Sequence, residues 1–225
     1  MESARIFEEK KGFPGVIGAI DGTHIKIAAP KENQESYINR KGYHSIQLQV
    51  VCNHKMELIH CYVGYPGSVH DQRVFNVSGL QDFCNDPTKF PNDTHLIGDA
   101  AYTISKTLLV PYKDNGQLTV RNKNYNYCLS STRMVVERCI GLLKVRFRIL
   151  LDKLPMKRTD LIPKYIMACC VLHNICILKN DMIEIPLLVE DVTENITENV
   201  DVNRLLHIEE KEKRERIKDA LRLRL

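Results

Sequence analysis

Residues 14–29 (PGVIGAIDGTHIKIAA) and 44–63 (HSIQLQVVCNHKMELIHCYV) are rich in Val and Ile and partly alternate apolar with polar positions, the second being broken at Asn53, His54 and Lys55. Half-buried strands have that period, and turns favour those residues. Three mostly antiparallel strands are therefore predicted first. Pro66-Gly67-Ser68 ends this part. A short helix follows over Asp71 to Gly79, started by Ser68 or Asp71 as N-cap, and then a short buried strand over Thr94 to Gly98. The pattern turns helical from Ser131 to Leu150 and again from Pro163 to Lys179, and a last amphipathic helix is predicted over roughly Asn203 to Leu223. Strands, helix, strand, helix, helix is the order of one mixed α/β domain, placed at residues 12–180, with an acidic segment and charged helix at 181–225 as a C-terminal appendage.

Composition narrows the function class. The 225 residues are 44% hydrophobic and 27% charged, as in an ordinary globular protein. The longest apolar stretch, Tyr165 to Leu178, is interrupted by His173 and Asn174 and is too short for a membrane span. No secretory signal is visible around Lys10 and Lys11, and eight cysteines suit free thiols in a reducing compartment, so an intracellular address without membrane association is expected. The net charge of +4 is unevenly spread. Residues 121–164 hold eleven bases against Glu137, Asp152 and Asp160, which suggests a polyanionic partner. Residues 181–203 hold seven acids and no base.

Three carboxylates stand where an acid is locally unfavourable: Asp21 in GAIDGTHI, Asp99 in LIGDAAY and Glu137 in TRMVVERCIGLLK. Each also has a plain structural reading. Asp21-Gly22 is a strong hairpin-turn signal, Asp99 suits a helix cap, and Glu137 suits a solvated helix face. Asp71, in GSVHDQRVF, shares the ambiguity as an N-cap beside an exposed His70. The helix around Glu137 is more informative. At 100° per residue, Arg133, Glu137, Gly141, Lys144 and Arg148 fall near one line, while Val135, Cys139, Leu142, Leu143, Ile149 and Leu150 form the apolar side. Arg146 does not fit that division. A mid-helix glycine costs about 1 kcal/mol against alanine, and at Gly141 a close-approaching backbone or ligand would justify it.

The run GFPGVIGAIDGTHIKI, then GSVHDQRVF, GDAAY, and VERCIGLLKVRFRIL followed by ACCVLHN resemble the catalytic domain of PIF/Harbinger-type DDE transposases and the host nucleases derived from them. The resemblance covers about residues 12–180. It implies a ribonuclease H-like mixed sheet flanked by helices, with Asp21 on the first strand, Asp99 after the fourth and Glu137 on a later helix as the catalytic, metal-binding triad. Asp71 matches the family's His-Asp motif and ranks behind the triad as a further metal ligand. Phosphodiester hydrolysis by two metals needs one cation to activate water and one to stabilise the leaving oxygen, and Mg²⁺ or Mn²⁺ prefers carboxylate and water ligands. Arg133, Lys144 and Arg148 would hold the DNA backbone. Family members usually carry an N-terminal helical DNA-binding region, whereas about a dozen residues precede the first strand here. Site choice is therefore expected to come from a separate DNA-binding nuclear protein, with a nuclear and also cytoplasmic address.

Other constellations carry less. Cys169, His173 and Cys176 share a helix face at metal-ligand spacing, but their apolar neighbours point to a buried core helix. His24 reads as a structural histidine. Tyr37, Tyr43, Tyr125 and Tyr127 accompany Arg40, Lys41, Arg121 and Lys123, a mix suited either to stacking on bases or to ordinary loops. Two functional classes stay open at this level: a divalent-metal-dependent endonuclease, and a catalytically silent domesticated module that binds DNA or protein.

Overall fold

A computed structural model describes residues 2–156, 158–181 and 208–224. In chain order it has α1 (Glu2–Lys11), β1 (Val16–Lys26), β2 (Ser45–Cys52), β3 (Leu58–Pro66), α2 (Asp71–Val77) and α3 (Leu80–Asn85). These are followed by β4 (His95–Ile97), β5 (Leu108–Leu109), α4 (Val120–Arg146), α5 (Ile162–Leu178) and α6 (Ile208–Ala220). The five strands form one mixed sheet in the order β3-β2-β1-β4-β5, antiparallel across β1, β2 and β3 and parallel across β1, β4 and β5. Helices flank it, and the architecture is the ribonuclease H-like α/β arrangement.

Strand alternation sorts side chains between two cores. Ala19, Ile25 and Ile27 join Ile46, Leu48, Val136, Cys139 and Leu143 in the larger core. Ile20, Val51, Leu96 and Leu108 pack with Phe75, Leu80 and Tyr102 in the smaller one. Flanked by β3 and β1, β2 has all eight of its residues buried, including Gln47 and Gln49.

Three local expectations are corrected. Asp21-Gly22 is no hairpin turn, because β1 continues to Lys26 and pairs Gly22 with Gln49 of β2. Helix α4 starts at Val120, not near Ser131, since the Thr119 side chain accepts from Asn122 N at 3.2 Å and caps it. It also ends at Arg146, so Arg148 lies in a separate 3-10 turn over Arg148–Leu150. The early start carries Tyr125 into the core, between the rings of Phe13 and Tyr112 at 5.4 and 5.2 Å, which removes it from any base-stacking role. Arg146 is explained by Asp181, whose carboxylate accepts from its Nη1 at 2.6 Å.

The acidic segment predicted after Asp181, and the predicted start of the last helix at Asn203, lie outside the described residues. Helix α6 itself lies against the domain. Lys213 is buried and donates to Thr94 O at 3.2 Å and Lys106 O at 2.8 Å, and Tyr112 Oη donates to Glu215 Oε1 at 2.6 Å. Asn124 Nδ2 donates to Arg222 O at 3.0 Å, which joins the end of the chain to α4. His173 is likewise a core residue, within 2.9 Å of Met56 O, and all eight cysteines are free. Among the described residues, no helix is long and apolar enough to cross a membrane.

Candidate active site

The parallel pairing of β1 with β4 sets Ala19 beside Ile97. Two residues on along each chain come Asp21 and Asp99, which therefore stand side by side where β4 ends. Asp21 is held by strand pairing, opposite Val50 of β2. Asp99 lies in the turn that follows β4, where its Oδ1 accepts from Ala101 N at 3.0 Å in place of a helix cap. Asp71 arrives from a third segment. His70 occupies the N-cap position of α2 without a side-chain cap bond, and this frees Asp71, the first helical residue, to face β1. A Cβ on Gly22 would lie 2.1 Å from Asp71 Oδ1, so the carboxylate rests on a residue that has no side chain.

Charge and burial act together on this cluster. Burial pushes Asp21 up to about 7, opposed by the adjacent Arg133 guanidinium and reinforced by Asp99 and Asp71. Burial likewise pushes Asp71 up to about 6, and Asp99 adds to the effect. Tyr102 is raised well above the ordinary phenol range, first by burial and then by Asp71, Asp21 and Asp99. Carboxylates from three remote segments thus sense one another within one partly buried space.

Glu137 reaches this group through Arg133. Arg133 Nη1 donates to Asp21 Oδ2 at 2.9 Å, and Nη2 donates to Glu137 Oε1 one helical turn along α4. Arg133 therefore lies within the acidic cluster as the bridge between two of its members. Lys144 is tied to β1, donating to Thr23 Oγ1 at 2.7 Å and to His24 O at 3.4 Å. Burial, with Lys41 adding to it, lowers Lys144 to about 8 against the opposing pull of Asp21. Arg148 is exposed. The predicted stripe of three bases thus divides into one base inside the cluster, one joining helix to strand and one at the surface.

Two glutamines complete the surroundings and were not singled out from the sequence. Gln47 Nε2 donates to Asp71 Oδ1, while Gln49 Nε2 donates to Asp71 O and to Tyr102 Oη, each at 3.3 Å. Their signal was present in SIQLQVV, where glutamines alternate with aliphatics inside an apolar strand. Buried amides need partners, and here the partners are the acidic site and its border.

Oxygen-only donors from several segments fit a hard divalent cation, and their mutual repulsion is what such an ion relieves. Among the described residues, however, no three carboxylate, imidazole or thiol groups stand ready to hold an ion as the side chains are placed. In this arrangement both Asp21 oxygens accept hydrogen bonds, Oδ1 from Gly22 N at 2.8 Å and Oδ2 from Arg133 at 2.9 Å.

Residues 20–174 match the family model described as DDE superfamily endonuclease. The chain belongs to this family. It is 38% identical over 170 residues to the rat protein named "Putative nuclease HARBI1", covering 73% of this chain and 46% of that one. The human protein of the same name is 34% identical over 170 residues, with the same coverage of each chain. "Protein ALP1-like" of Arabidopsis thaliana is 26% identical over 188 residues, covering 78% of this chain and 46% of that one. The chain spans about half the length of these curated relatives. No solved structure matches it significantly. Membership in this transposase-derived nuclease family agrees with the Harbinger-type resemblance of the ordered motifs, and the matched residues include Asp21, Asp71, Asp99 and Glu137.

Proposed function

We propose that the chain is a divalent-metal-dependent nuclease that hydrolyses DNA phosphodiester bonds at Asp21, Asp99 and Glu137, with Asp71 as a further ligand to the cation pair. The observation that carries this reading is the matched register of β1 and β4, which sets two acids side by side at a strand end with a third delivered by α4. Mg²⁺ or Mn²⁺ held there would neutralise charge on the phosphoryl group and assist departure of the leaving oxygen. The chain's own residues do the rest. Burial places Asp21 and Asp71 in a low-dielectric setting where their negative charge would act strongly on a bound cation. Gln47 and Gln49 hold Asp71 toward β1, and Lys144 fixes the distance between β1 and α4. The α4 side of the site supplies Arg133, Lys144 and Arg148 as the bases that would meet phosphates.

Phosphate contacts position a duplex without reading its sequence. We propose further that a separate DNA-binding nuclear protein chooses the site, and that the chain acts in the nucleus with a share in the cytoplasm. Nicking of supercoiled plasmid in Mg²⁺ or Mn²⁺ tests the activity. The wild type should relax the plasmid only with divalent metal, and Asp99→Asn should abolish this. Equal nicking by Asp99→Asn would remove the site from the reaction, and no nicking by either protein would favour a silent binding module.

A further inference from the structure

The position of Arg133 is unusual for a base meant only to touch DNA. A solvated arginine would pair with Glu137 along its own helix and stop there. Instead this side chain is 18% exposed and crosses to β1, where it donates to an Asp21 carboxylate that is itself 18% exposed. It spans two acids of the candidate site and takes up an oxygen of each. A guanidinium carries one fixed positive charge and five donors, cannot be deprotonated in a protein, and matches carboxylate and phosphate equally well.

We propose that Arg133 is a built-in stand-in for the divalent cation, and that ion binding releases it toward the DNA backbone. With no ion bound, Arg133 neutralises Asp21 and Glu137 and holds them together. An ion that takes those oxygens must displace at least one of its hydrogen bonds, and the freed fork then faces a phosphate. The inference rests on the nuclease reading above and adds a coupling to it. Because each partner favours the released state, metal should tighten DNA binding and DNA should tighten metal binding by the same factor. The availability of Arg133 to substrate is thus set by metal occupancy.

Mn²⁺ binding to the full chain, read at pH 8.5 from the loss of the free-ion electron paramagnetic resonance signal, tests the competition. Arg133→Gln should bind Mn²⁺ on the order of tenfold more tightly than wild type, within the usual range of such couplings. Arg133→Lys, which keeps the charge, should stay close to wild type. Adding Asp99→Asn to Arg133→Gln should erase the gain; a gain that persists puts the ion elsewhere and overturns the proposal. If wild type binds Mn²⁺ and Arg133→Gln binds it no better, the proposal fails while the nuclease reading stands. If neither protein binds, both fail. A second measurement needs no variant. Ca²⁺ at constant ionic strength should raise wild-type affinity for a labelled duplex by on the order of tenfold, although a divalent ion that merely screens phosphates would lower it. Unchanged or reduced affinity would overturn the release step.

Discussion

A Cβ on Gly22 would lie 2.1 Å from Asp71 Oδ1 and 3.2 Å from Gln47 Nε2, so the missing side chain is what lets the α2 carboxylate approach β1. Gly22→Ala is expected to displace Asp71 and leave the fold standing, because the atoms in the way are ends of side chains and not backbone. Plasmid nicking by this variant should fall at least tenfold, a loss of about 1.4 kcal/mol in transition-state stabilisation, with its circular dichroism spectrum unchanged. The acids also predict an unusual pH profile. The folded state raises Asp21 from 3.8 to about 7 and Asp71 from 3.8 to about 6. Between pH 4 and 6 the unfolded chain has released these protons and the folded chain retains them, so stability falls as pH rises and levels off above about 7. Each retained proton contributes a slope of up to about 1.4 kcal/mol per pH unit. Urea unfolding of metal-free protein should show this fall, and Asp21→Asn should flatten it. A wild-type stability that climbs from pH 5 to 7, after neutralising every carboxyl outside the site has been allowed for, would contradict the arrangement.

Helix α4 carries more of the site than any other element, supplying Arg133, Glu137 and Lys144, and it was only partly legible in the sequence. Its second half has a clear division of apolar and charged sides. Its first half reads NKNYNYCLSS, in which polar residues conceal the core positions Asn124, Tyr125, Cys128 and Leu129. Burial of Asn124 is secured by α6 and the chain end, through bonds to Arg222 O and Arg224 N that no local pattern could announce. By contrast β1 and β2 were legible, because strand alternation and the Asn53 to Lys55 turn are local signals. The convergence of Asp21 and Asp99 came from family motifs and not from spacing, since 78 residues separate them and only the β1–β4 register joins them. Asp71 was ambiguous for a similar reason, as an N-cap and a ligand occupy the same kind of helix start. Of the two expected reasons for Gly141, a close backbone is not found: among the described residues nothing beyond its own helix and chain neighbours lies within 4 Å of a Cβ placed there. Gly141→Ala should therefore stabilise the protein by about 0.5–1 kcal/mol, seen as a higher urea midpoint. A lower midpoint would show that the space is not open.

At the scale of the molecule, two differently built halves of one sheet meet at the acids. Long antiparallel strands hold Asp21 rigidly, and short parallel strands end beside it and deliver Asp99 from a turn. Opposite faces then bring Asp71 on α2 and Glu137 on α4 to that sheet end, while α6 braces the approaches to β4 and β5 through buried Lys213 and meets α4 where Arg121 donates to Asp219 O at 3.2 Å. On the proposed reading, like charges converge here at a cost to the metal-free fold that bound cations would recover. On the same reading these acids form one divalent-metal site. Its most direct measurement is the melting temperature of the full chain as Mn²⁺ is titrated, for wild type and for Asp21→Asn/Asp99→Asn/Glu137→Gln. The wild type should rise in melting temperature with Mn²⁺ and the triple variant should show almost no change, whereas equal shifts in the two proteins would contradict the claim.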